Sequence, residues 1–213
     1  MAITQRLTPN CAPREAPINY IVLHCTEVSN DEDALAVYAD PRMELSCHYY
    51  ISYAGETLQL VKDEDTAWHA GASVWQNIEK LNHHSLGIEI ANPGEQAAKP
   101  FTQKQYEALE DLLAALMARH DIPPENILGH SDIATWRKQD PGRHFDWRHL
   151  EQKGLAAPFK APEATTDPLD ALYHWGYHGE SSDVLAAFQR RYLPENVTGT
   201  LCEKTRAFIL GAE

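Results

Sequence analysis

The sequence predicts an α/β fold, in which helices flank a mixed central β-sheet, followed by a small all-α C-terminal domain. Strand-like apolar runs and helical patterns are interspersed through the first two-thirds of the chain, which is typical of one sheet covered by helices. A segment rich in Ala, Pro and Thr follows, and only helical patterns come after it. The length of 213 residues, 43% of them hydrophobic, suits one main domain with a small addition.

The expected boundaries follow changes in composition. Residues 1–17 are polar and contain three prolines, so we expect a loosely structured N-terminal arm. The main domain is expected over 18–155, a linker over 156–168, and a helical domain over 169–213.

The sequence of the first half of the main domain predicts a strand, then a helix, then a β-hairpin. Residues 18–25 are apolar on both faces, as in a central strand. Asp31–Ala39 has the acidic first turn that favours a helix. The apolar runs 47–52 and 57–61 flank an Ala-Gly-Glu turn, which predicts a hairpin.

The second half predicts a strand and a long helix. Aliphatic residues stand at every second position of 86–90. In a strand, Leu86, Ile88 and Ile90 would share one face and Glu89 would lie on the other. Thr102 and Gln105 form a capping box pattern, which predicts a helix from there to about His120. The apolar positions at helical spacing are Tyr106, Leu109, Leu112, Leu113, Leu116 and Met117.

Composition excludes several classes of partner. The net charge of −13 argues against binding to nucleic acid or to an anionic membrane surface. No run of about 18 apolar residues is present, so no transmembrane segment is expected. Because the N-terminus lacks an apolar h-region and the cysteines form no Cys-x-x-Cys pair, we expect a cytoplasmic protein; the alternative is the periplasm or outer membrane, after removal of a signal. We expect buried free thiols among Cys11, Cys25, Cys47 and Cys202.

Three residues predict a catalytic zinc site. His130 and Asp140 lie in one loop that ends at Pro141, and His24 lies at the end of the first apolar strand. Two imidazoles and one carboxylate, with a fourth position left to water, form a ligand set of catalytic zinc. His144 is the alternative for the third ligand.

Two further residues predict hydrolysis. A hydrolytic zinc site needs a base for the proton of its water, and Glu89 is the best candidate because a carboxylate between Ile88 and Ile90 is costly unless it faces a cleft. The alternative is a buried structural ion pair. Lys138 can stabilise the oxyanion of a tetrahedral intermediate, and the alternative is a solvated loop lysine.

Five motifs in a fixed order carry a resemblance to a known family. They resemble the zinc-dependent N-acetylmuramoyl-L-alanine amidases, a superfamily shared with peptidoglycan recognition proteins and phage T7 lysozyme. Within it, they are most similar to the anhydromuropeptide amidases of the AmpD and AmiD types, over about residues 17–155. The motifs are Val22-Leu23-His24-Cys25-Thr26, Ser46-Cys47-His48-Tyr49, Ala67-Trp68-His69-Ala70-Gly71, Leu86-Gly87-Ile88-Glu89-Ile90 and the run from His130 to Gly142.

The resemblance implies a role for each candidate residue. It implies that His24, His130 and Asp140 bind one zinc ion, that Glu89 is the catalytic acid/base, and that Lys138 stabilises the transition state. The implied reaction is hydrolysis of the bond between the lactyl group of N-acetylmuramic acid and L-alanine, in (1,6-anhydro)muropeptides of peptidoglycan turnover and recycling. A non-catalytic peptidoglycan recognition protein and a zinc peptidase acting on the stem peptide are the alternatives.

The expected contacts with the muropeptide rest on less specific evidence. Trp68 could equally fill the core, and Trp136, which with Thr135 departs from the usual family pattern, is either an aromatic platform for a sugar or a cover of its loop. The expected substrate-binding residues are His48, Trp68, His69, Asn92, Trp136 and Arg137.

The C-terminal segment resembles a short peptidoglycan-binding helical domain. Its landmarks are Trp175-Gly176-Tyr177, Phe188-Gln189 and Gly199-Thr200-Leu201, but Cys202 stands where an aspartate is usual. Both wall binding and a structural cap on the catalytic domain are therefore expected roles.

Overall fold

The computed structural model describes residues 2–162 and 165–211 of the chain. Within them, no helix is both long and apolar enough to cross a membrane. The α-helices are α1 (Asp31–Ala39), α2 (Gln103–His120), α3 (His130–Ile133), α4 (Trp147–Gln152), α5 (Pro168–Trp175), α6 (Ser181–Tyr192) and α7 (Glu203–Leu210). The strands are β1 (Ile3–Gln5), β2 (Cys11–Pro13), β3 (Tyr20–Cys25), β4 (Tyr49–Ile51), β5 (Thr57–Gln59), β6 (Asp65–Ala67), β7 (Val74–Trp75), β8 (Ile78–Glu79), β9 (Ser85–Ile90) and β10 (Ile127–Gly129). Short 3-10 helices cover Pro41–Met43, Leu81–His84, Glu95–Ala97 and Pro124–Asn126.

The central sheet is mixed, as predicted. Its six strands lie in the order β1-β5-β4-β9-β3-β10. Strands β4, β9, β3 and β10 are parallel to one another, whereas β5 is antiparallel to β4 and parallel to β1. The predicted hairpin is confirmed by the antiparallel β4–β5 pair. Two small antiparallel sheets, β2-β6 and β7-β8, complete the architecture.

One face of the sheet packs against α2. The capping box is present: the backbone N–H of Thr102 donates to Gln105 Oε1 at 2.9 Å, and that of Gln105 donates to Thr102 Oγ1 at 3.3 Å. These bonds satisfy N–H groups that a helix start leaves without partners. The core on this side includes Ile21, Leu23, Leu86, Ile88, Ile90, Leu109, Leu112, Leu113 and Leu116.

The opposite face of the sheet packs against the C-terminal helices. Val22 and Leu128 of the sheet belong to the same buried cluster as residues of α5 and α6, including Leu172, Val184 and Phe188. The C-terminal segment therefore shares a core with the sheet.

The segment predicted as a linker takes part in this packing. The Phe159 ring contacts Trp175 and Phe188, with ring centroids 5.1 and 5.0 Å apart. Of the predicted linker, Glu163 and Ala164 lie outside the described residues.

The expectation of a loosely structured arm over residues 1–17 is wrong. Strand β1 adds to the sheet beside β5, and β2 pairs with β6. Arg14 is anchored by backbone carbonyls, donating to those of His83 at 2.6 Å and Asp65 at 2.7 Å. Each of these partners lies about 50–70 residues further along the sequence, so the local composition of the arm gives no sign of them.

The prediction of buried thiols holds for two of the four cysteines. Cys25 and Cys47 are buried, whereas Cys11 and Cys202 are partly exposed; all four are free.

Candidate active site and metal centre

The candidate site lies at the carboxyl ends of three neighbouring parallel strands. Glu89 and His24 are paired directly across β9 and β3, and His130 follows the end of β10. Side-chain alternation turns Glu89 and His24 away from the α2 core, as predicted for Glu89. Ligand sites of α/β proteins typically form at such strand ends, because the loops there converge.

Three buried side chains converge on one point at this edge. Nδ1 of His24 lies 2.9 Å from Nδ1 of His130 and 3.0 Å from Oδ2 of Asp140, and the latter two atoms are 3.1 Å apart. Atoms that bind one small metal ion at about 2 Å are about 3 Å from one another. This triangle of buried ligand atoms fits a metal site. Within the described part of the chain, these three residues form a group that could hold a metal ion.

The electrostatics of the triangle favour the forms that bind metal. Burial and the neighbouring His130 lower the pKa of His24 to about 4, so its imidazole is neutral at pH 7. Burial opposes ionisation of Asp140, but His130 and His24 outweigh it and hold the pKa of this carboxyl far below its ordinary value. A neutral imidazole and a carboxylate are the states that metal ligation requires.

His144, the alternative third ligand, lies elsewhere. It lines a separate cavity together with Trp147 of α4 and Tyr192 of α6. Because it is absent from the converging group, the geometry favours Asp140 as the third ligand.

Glu89 is buried beside the metal triangle, with 7% of its surface exposed. Burial and the charge of Asp140 raise its pKa to about 8, although a hydrogen bond from Tyr38 opposes the shift. Its Oε2 atom has no hydrogen-bond partner within the described part of the chain. A buried carboxyl oxygen without a partner costs free energy, which argues against the alternative of a structural ion pair.

Lys138 is half-buried near the same groups. Its positive charge lowers the pKa of His24 and opposes the rise in the pKa of Glu89. Among residues 2–162 and 165–211, its ammonium group has neither an ion pair nor a hydrogen bond. It is therefore available to an anion that forms in the site.

The sequence did not single out two residues of this site, Glu27 and Tyr38. Burial and the charge of Asp140 raise the pKa of Glu27, which lies just beyond the end of β3. Tyr38 projects from α1 onto Glu89. An acidic residue three positions after a candidate metal ligand, as Glu27 is after His24, is a sequence signal for a place near the site. The contact of Tyr38 with Glu89 depends on how α1 packs, so the local sequence carries no signal for it.

Two of the residues predicted to contact substrate, His48 and Asn92, are buried in the structure. His48 is fully buried: its Nδ1 accepts from the Gly87 N–H at 2.9 Å, and its Nε2 lies 3.1 Å from the Asp65 carbonyl. Asn92 is 3% exposed and donates to the Lys99 carbonyl at 3.0 Å. Neither side chain has a polar group free to meet a muropeptide, and both instead hold neighbouring backbone in place.

His69 and Arg137 both have hydrogen-bond partners within the protein. His69 is 4% exposed and lies against His24, with 3.0 Å between Nδ1 of His69 and Nε2 of His24. The guanidinium of Arg137 donates to the carbonyls of Ala72, at 2.9 Å, and of Ala70. His69 is therefore enclosed within the protein, whereas Arg137 keeps an exposed side chain, and its contact with substrate stays a prediction.

The two tryptophans keep accessible surface. Trp68 is half-buried, and Trp136 is 44% exposed. The neighbouring Thr135 donates to the His178 carbonyl at 2.6 Å, so the turn that carries Trp136 rests on the C-terminal segment. Their exposure is compatible with contact to a ligand.

The site thus combines a group that fits a metal ion with a buried carboxyl group and a lysine without a partner in the described residues, and such groups can serve hydrolysis. Residues 14–143 match the N-acetylmuramoyl-L-alanine amidase family. The chain is 33% identical to the N-acetylmuramoyl-L-alanine amidase AmiD of Escherichia coli K12, over 96% of this chain and 84% of that protein. The chain therefore belongs to the N-acetylmuramoyl-L-alanine amidase family, which confirms the resemblance.

Two further comparisons bear on the branch and on the C-terminal segment. The chain is 42% identical to the 1,6-anhydro-N-acetylmuramyl-L-alanine amidase AmpD of Haemophilus influenzae, over 50% of this chain and 56% of that protein. The solved structure of AmiD from E. coli, in complex with the substrate anhydro-N-acetylmuramic acid-L-Ala-D-γ-Glu-L-Lys, superposes with a TM-score of 0.79 at 31% identity. The superposition covers 96% of this chain and 91% of the AmiD chain, so the likeness includes the C-terminal helices.

Proposed function

We propose that this amidase uses one zinc ion to hydrolyse the bond between the lactyl group of N-acetylmuramic acid and L-alanine in 1,6-anhydromuropeptides. The convergence of His24, His130 and Asp140, with Glu89 paired to His24 from the next strand, carries the proposal. The substrate named in the AmiD complex supports the choice of the anhydro sugar.

The donor set favours zinc over other common metals. His24, His130 and Asp140 would hold the ion, leaving a fourth position for water, whereas Mg²⁺ and Ca²⁺ prefer oxygen ligands throughout. When bound, zinc lowers the pKa of water to about 7 and polarises the carbonyl group under attack.

Glu89 moves the proton in the proposed reaction. Its carboxylate accepts a proton from the attacking water as the new C–O bond forms at the lactyl carbonyl carbon. It then gives this proton to the nitrogen of L-alanine as the C–N bond breaks, so the products are a lactyl carboxylic acid and a free amine, which ionise to carboxylate and ammonium. The burial that raises its pKa makes it a better proton acceptor than an exposed carboxylate.

Lys138 and the tryptophans have supporting roles in the proposal. The Lys138 ammonium faces the negative charge that develops on the carbonyl oxygen, and its lack of a protein partner leaves it free to do so. Trp68 and Trp136 offer the accessible aromatic surface on which a sugar or peptide can rest.

The two alternatives account for fewer features of the site. A protein that only binds peptidoglycan needs neither the buried Glu89 nor the pre-assembled metal ligands. A peptidase that cuts within the stem peptide could use the same groups, so the identity of the products must separate it from an amidase. As the compartment we propose the cytoplasm, because buried free thiols such as Cys25 and Cys47 suit a reducing environment.

The test is product analysis with metal-loaded and metal-free protein. The zinc-loaded protein is incubated with anhydro-N-acetylmuramic acid-L-Ala-D-γ-Glu-L-Lys, and the products are identified by mass. We expect free tripeptide and intact anhydro-sugar, and no cleavage after zinc is removed by a chelator. Absence of cleavage by the loaded protein would support the binding protein, and a shortened peptide attached to the sugar would support the peptidase.

Metal content provides the matched test of the ligand set. Asp140→Ala should lose most of its bound zinc, whereas His144→Ala should keep one ion per chain. The reverse result would transfer the role of third ligand to His144.

A further inference from the structure

A continuous chain of polar contacts connects His24 to the interior of the protein on the side away from the metal triangle. Nε2 of His24 lies 3.0 Å from Nδ1 of His69, and Nε2 of His69 lies 3.3 Å from Oγ of Ser85. The Ser85 hydroxyl in turn donates to the Leu81 carbonyl at 2.6 Å. All three side chains are at least nine-tenths buried.

The proton positions along this series of hydrogen bonds can be assigned from its last member, the Leu81 carbonyl oxygen, because a carbonyl oxygen can only accept. The Leu81 carbonyl takes the single proton of Ser85, so the Ser85 oxygen must accept from Nε2–H of His69. A buried, uncharged His69 with its proton on Nε2 has a bare Nδ1, which accepts from Nε2–H of His24. This leaves the lone pair of His24 on Nδ1, the atom that faces His130 and Asp140.

The second imidazole ligand is held from the same segment of chain. Nε2 of His130 lies 3.2 Å from the carbonyl oxygen of Ala70, the residue after His69, and 3.2 Å from a guanidinium nitrogen of Arg137 that itself donates to the same carbonyl. A donor on Nε2 again leaves the lone pair on Nδ1, which points into the triangle. The backbone N–H groups of His69 and Ala70 both donate to Oδ1 of Asn82, at 3.1 and 2.7 Å, which fixes the segment itself.

A glycine on the neighbouring strand makes room for this arrangement. A Cβ atom added to Gly87 would lie 2.4 Å from Cγ of His69, which is closer than any real contact. The imidazole of His69 therefore packs directly against the backbone of β9, and any larger residue at 87 would displace it.

We propose that His69 and Ala70 orient the two imidazole ligands of the metal site: His69, backed by Ser85, holds His24 as the Nε2–H tautomer, and the Ala70 carbonyl does the same for His130. His69 is a positioning residue in this view. Groups that accept a hydrogen bond from the outer nitrogen of a ligating imidazole orient the ring, and their removal typically weakens metal binding by about 10–100-fold. The inference rests on the proposed metal site, and it assigns His69 and Ala70 of the Trp-His-Ala-Gly motif to the metal ligands in place of the substrate.

The first test is zinc affinity, measured by competition with a chromophoric chelator. His69→Phe, which fills the same space without an acceptor, should weaken zinc binding by about 10–100-fold. His69→Asn should retain much of the affinity, because its amide oxygen can accept in the place of Nδ1. Gly87→Ala and Ser85→Ala should weaken binding in the same direction. Ser52→Ala, a buried serine in the β4–β5 hairpin, is the matched control and should bind zinc like the wild type.

The second test needs no variant. The ¹⁵N chemical shifts of the zinc-loaded full-length protein should show His69 protonated on Nε2 and bare on Nδ1, the form that accepts from Nε2–H of His24. Protonation on Nδ1 would overturn the inference, and so would equal zinc affinity in His69→Phe and the wild type, or an equal loss in Ser52→Ala. Failure of the wild type to bind zinc would instead contradict the proposed function, which keeps the two outcomes apart.

Discussion

Glu89 owes its place in the site to the alternation of side chains along β9. Its neighbours Ile88 and Ile90 point into the core against α2, which leaves Glu89 on the face that carries His24. A shift of one residue in the pairing of β9 would exchange these faces and bury the carboxyl group among aliphatic side chains. The aliphatic residues therefore determine the register that brings acid and metal ligand together.

Replacement of the carboxyl group separates its chemical role from metal binding. Glu89→Gln keeps the shape of the side chain but cannot accept a proton, so we expect amidase activity to fall by about 10²–10⁴-fold while one zinc ion stays bound. Turnover of anhydromuropeptide and metal content are measured on the same preparation, with the exposed Glu79→Gln as control. Loss of zinc together with activity would contradict the assignment.

The raised pKa of Glu89 also predicts how stability depends on pH in the metal-free protein. The pKa is about 8 in the fold, against an ordinary value of about 4.3 in the unfolded chain. Between these values the folded state binds one more proton, so the free energy of unfolding falls as pH rises, by up to about 1.4 kcal/mol per pH unit. The contribution is complete below pH 4.3 or so and is lost as pH rises through about 8.

Glu89→Gln removes this dependence, so the stability of the variant relative to the wild type should increase from pH 5 to pH 8. Denaturant unfolding of both metal-free proteins at several pH values measures the difference. A difference that stays constant with pH would show that Glu89 titrates at its ordinary pKa in the fold.

Among the elements, α6 fixes both loops that carry metal ligands. Arg191 donates to Asp132 Oδ2 at 2.7 Å, and the same oxygen accepts from the backbone N–H of Gly129, next to His130. Arg190 donates to Glu95 Oε2 at 2.9 Å, and this oxygen also accepts from the N–H of Arg143, close to Asp140. The C-terminal helices therefore help to place the ligands.

The ion pair between Arg191 and Asp132 is nearly inaccessible, with side-chain exposures of 4% and 1%. Arg191→Met would leave the carboxylate of Asp132 buried without its cation, and such a loss costs about 3–5 kcal/mol. We expect a reduction of this size in the free energy of unfolding, measured with denaturant. The exposed Arg148→Met on α4 serves as control and should change stability by less than about 0.5 kcal/mol. Equal small effects in both variants would contradict a structural role for the pair.

Elements with a local periodic signal could be predicted from the sequence, and those with distant partners could not. Helix α2 has its capping box and apolar stripe within one segment, and β9 alternates over six residues. Strands β1 and β2 are three residues long, and their hydrogen-bond partners lie in β5 and β6. Nothing in the local composition of a short, proline-containing segment reports such a pairing.

The same distinction applies to the site. His24, His130 and Asp140 could be grouped because their chemistry and their order in the chain suggest one metal. The role of His69 depends on which ring nitrogen faces which neighbour, and this is a property of the packed sheet. For that reason, His48 and His69 looked like substrate contacts in the sequence but are buried in the fold.

At the scale of the whole molecule, the C-terminal helices and the sheet share a buried cluster, so we expect them to fold as one unit. The cluster that joins Val22 and Leu128 to α5 and α6 covers β3 and β10 on one face of the sheet. A fragment ending at residue 155 would expose this face and leave Asp132 without Arg191. We expect it to aggregate or to lack a cooperative unfolding transition, whereas the full chain unfolds in one transition; calorimetry and size-exclusion chromatography measure both. A fragment that folds cooperatively and binds zinc like the full chain would show that the segment is a separable domain.

The central claim is that water adds to the lactyl carbonyl in a zinc-dependent reaction that Glu89 assists. Hydrolysis of anhydro-N-acetylmuramic acid-L-Ala-D-γ-Glu-L-Lys in H₂¹⁸O, with mass analysis of both products, tests it most directly. The account predicts one ¹⁸O atom in the lactyl carboxylate of the sugar and none in the tripeptide, with the reaction lost in the metal-free protein and in Glu89→Gln. Label in a peptide carboxylate, or cleavage that survives removal of zinc, would contradict it.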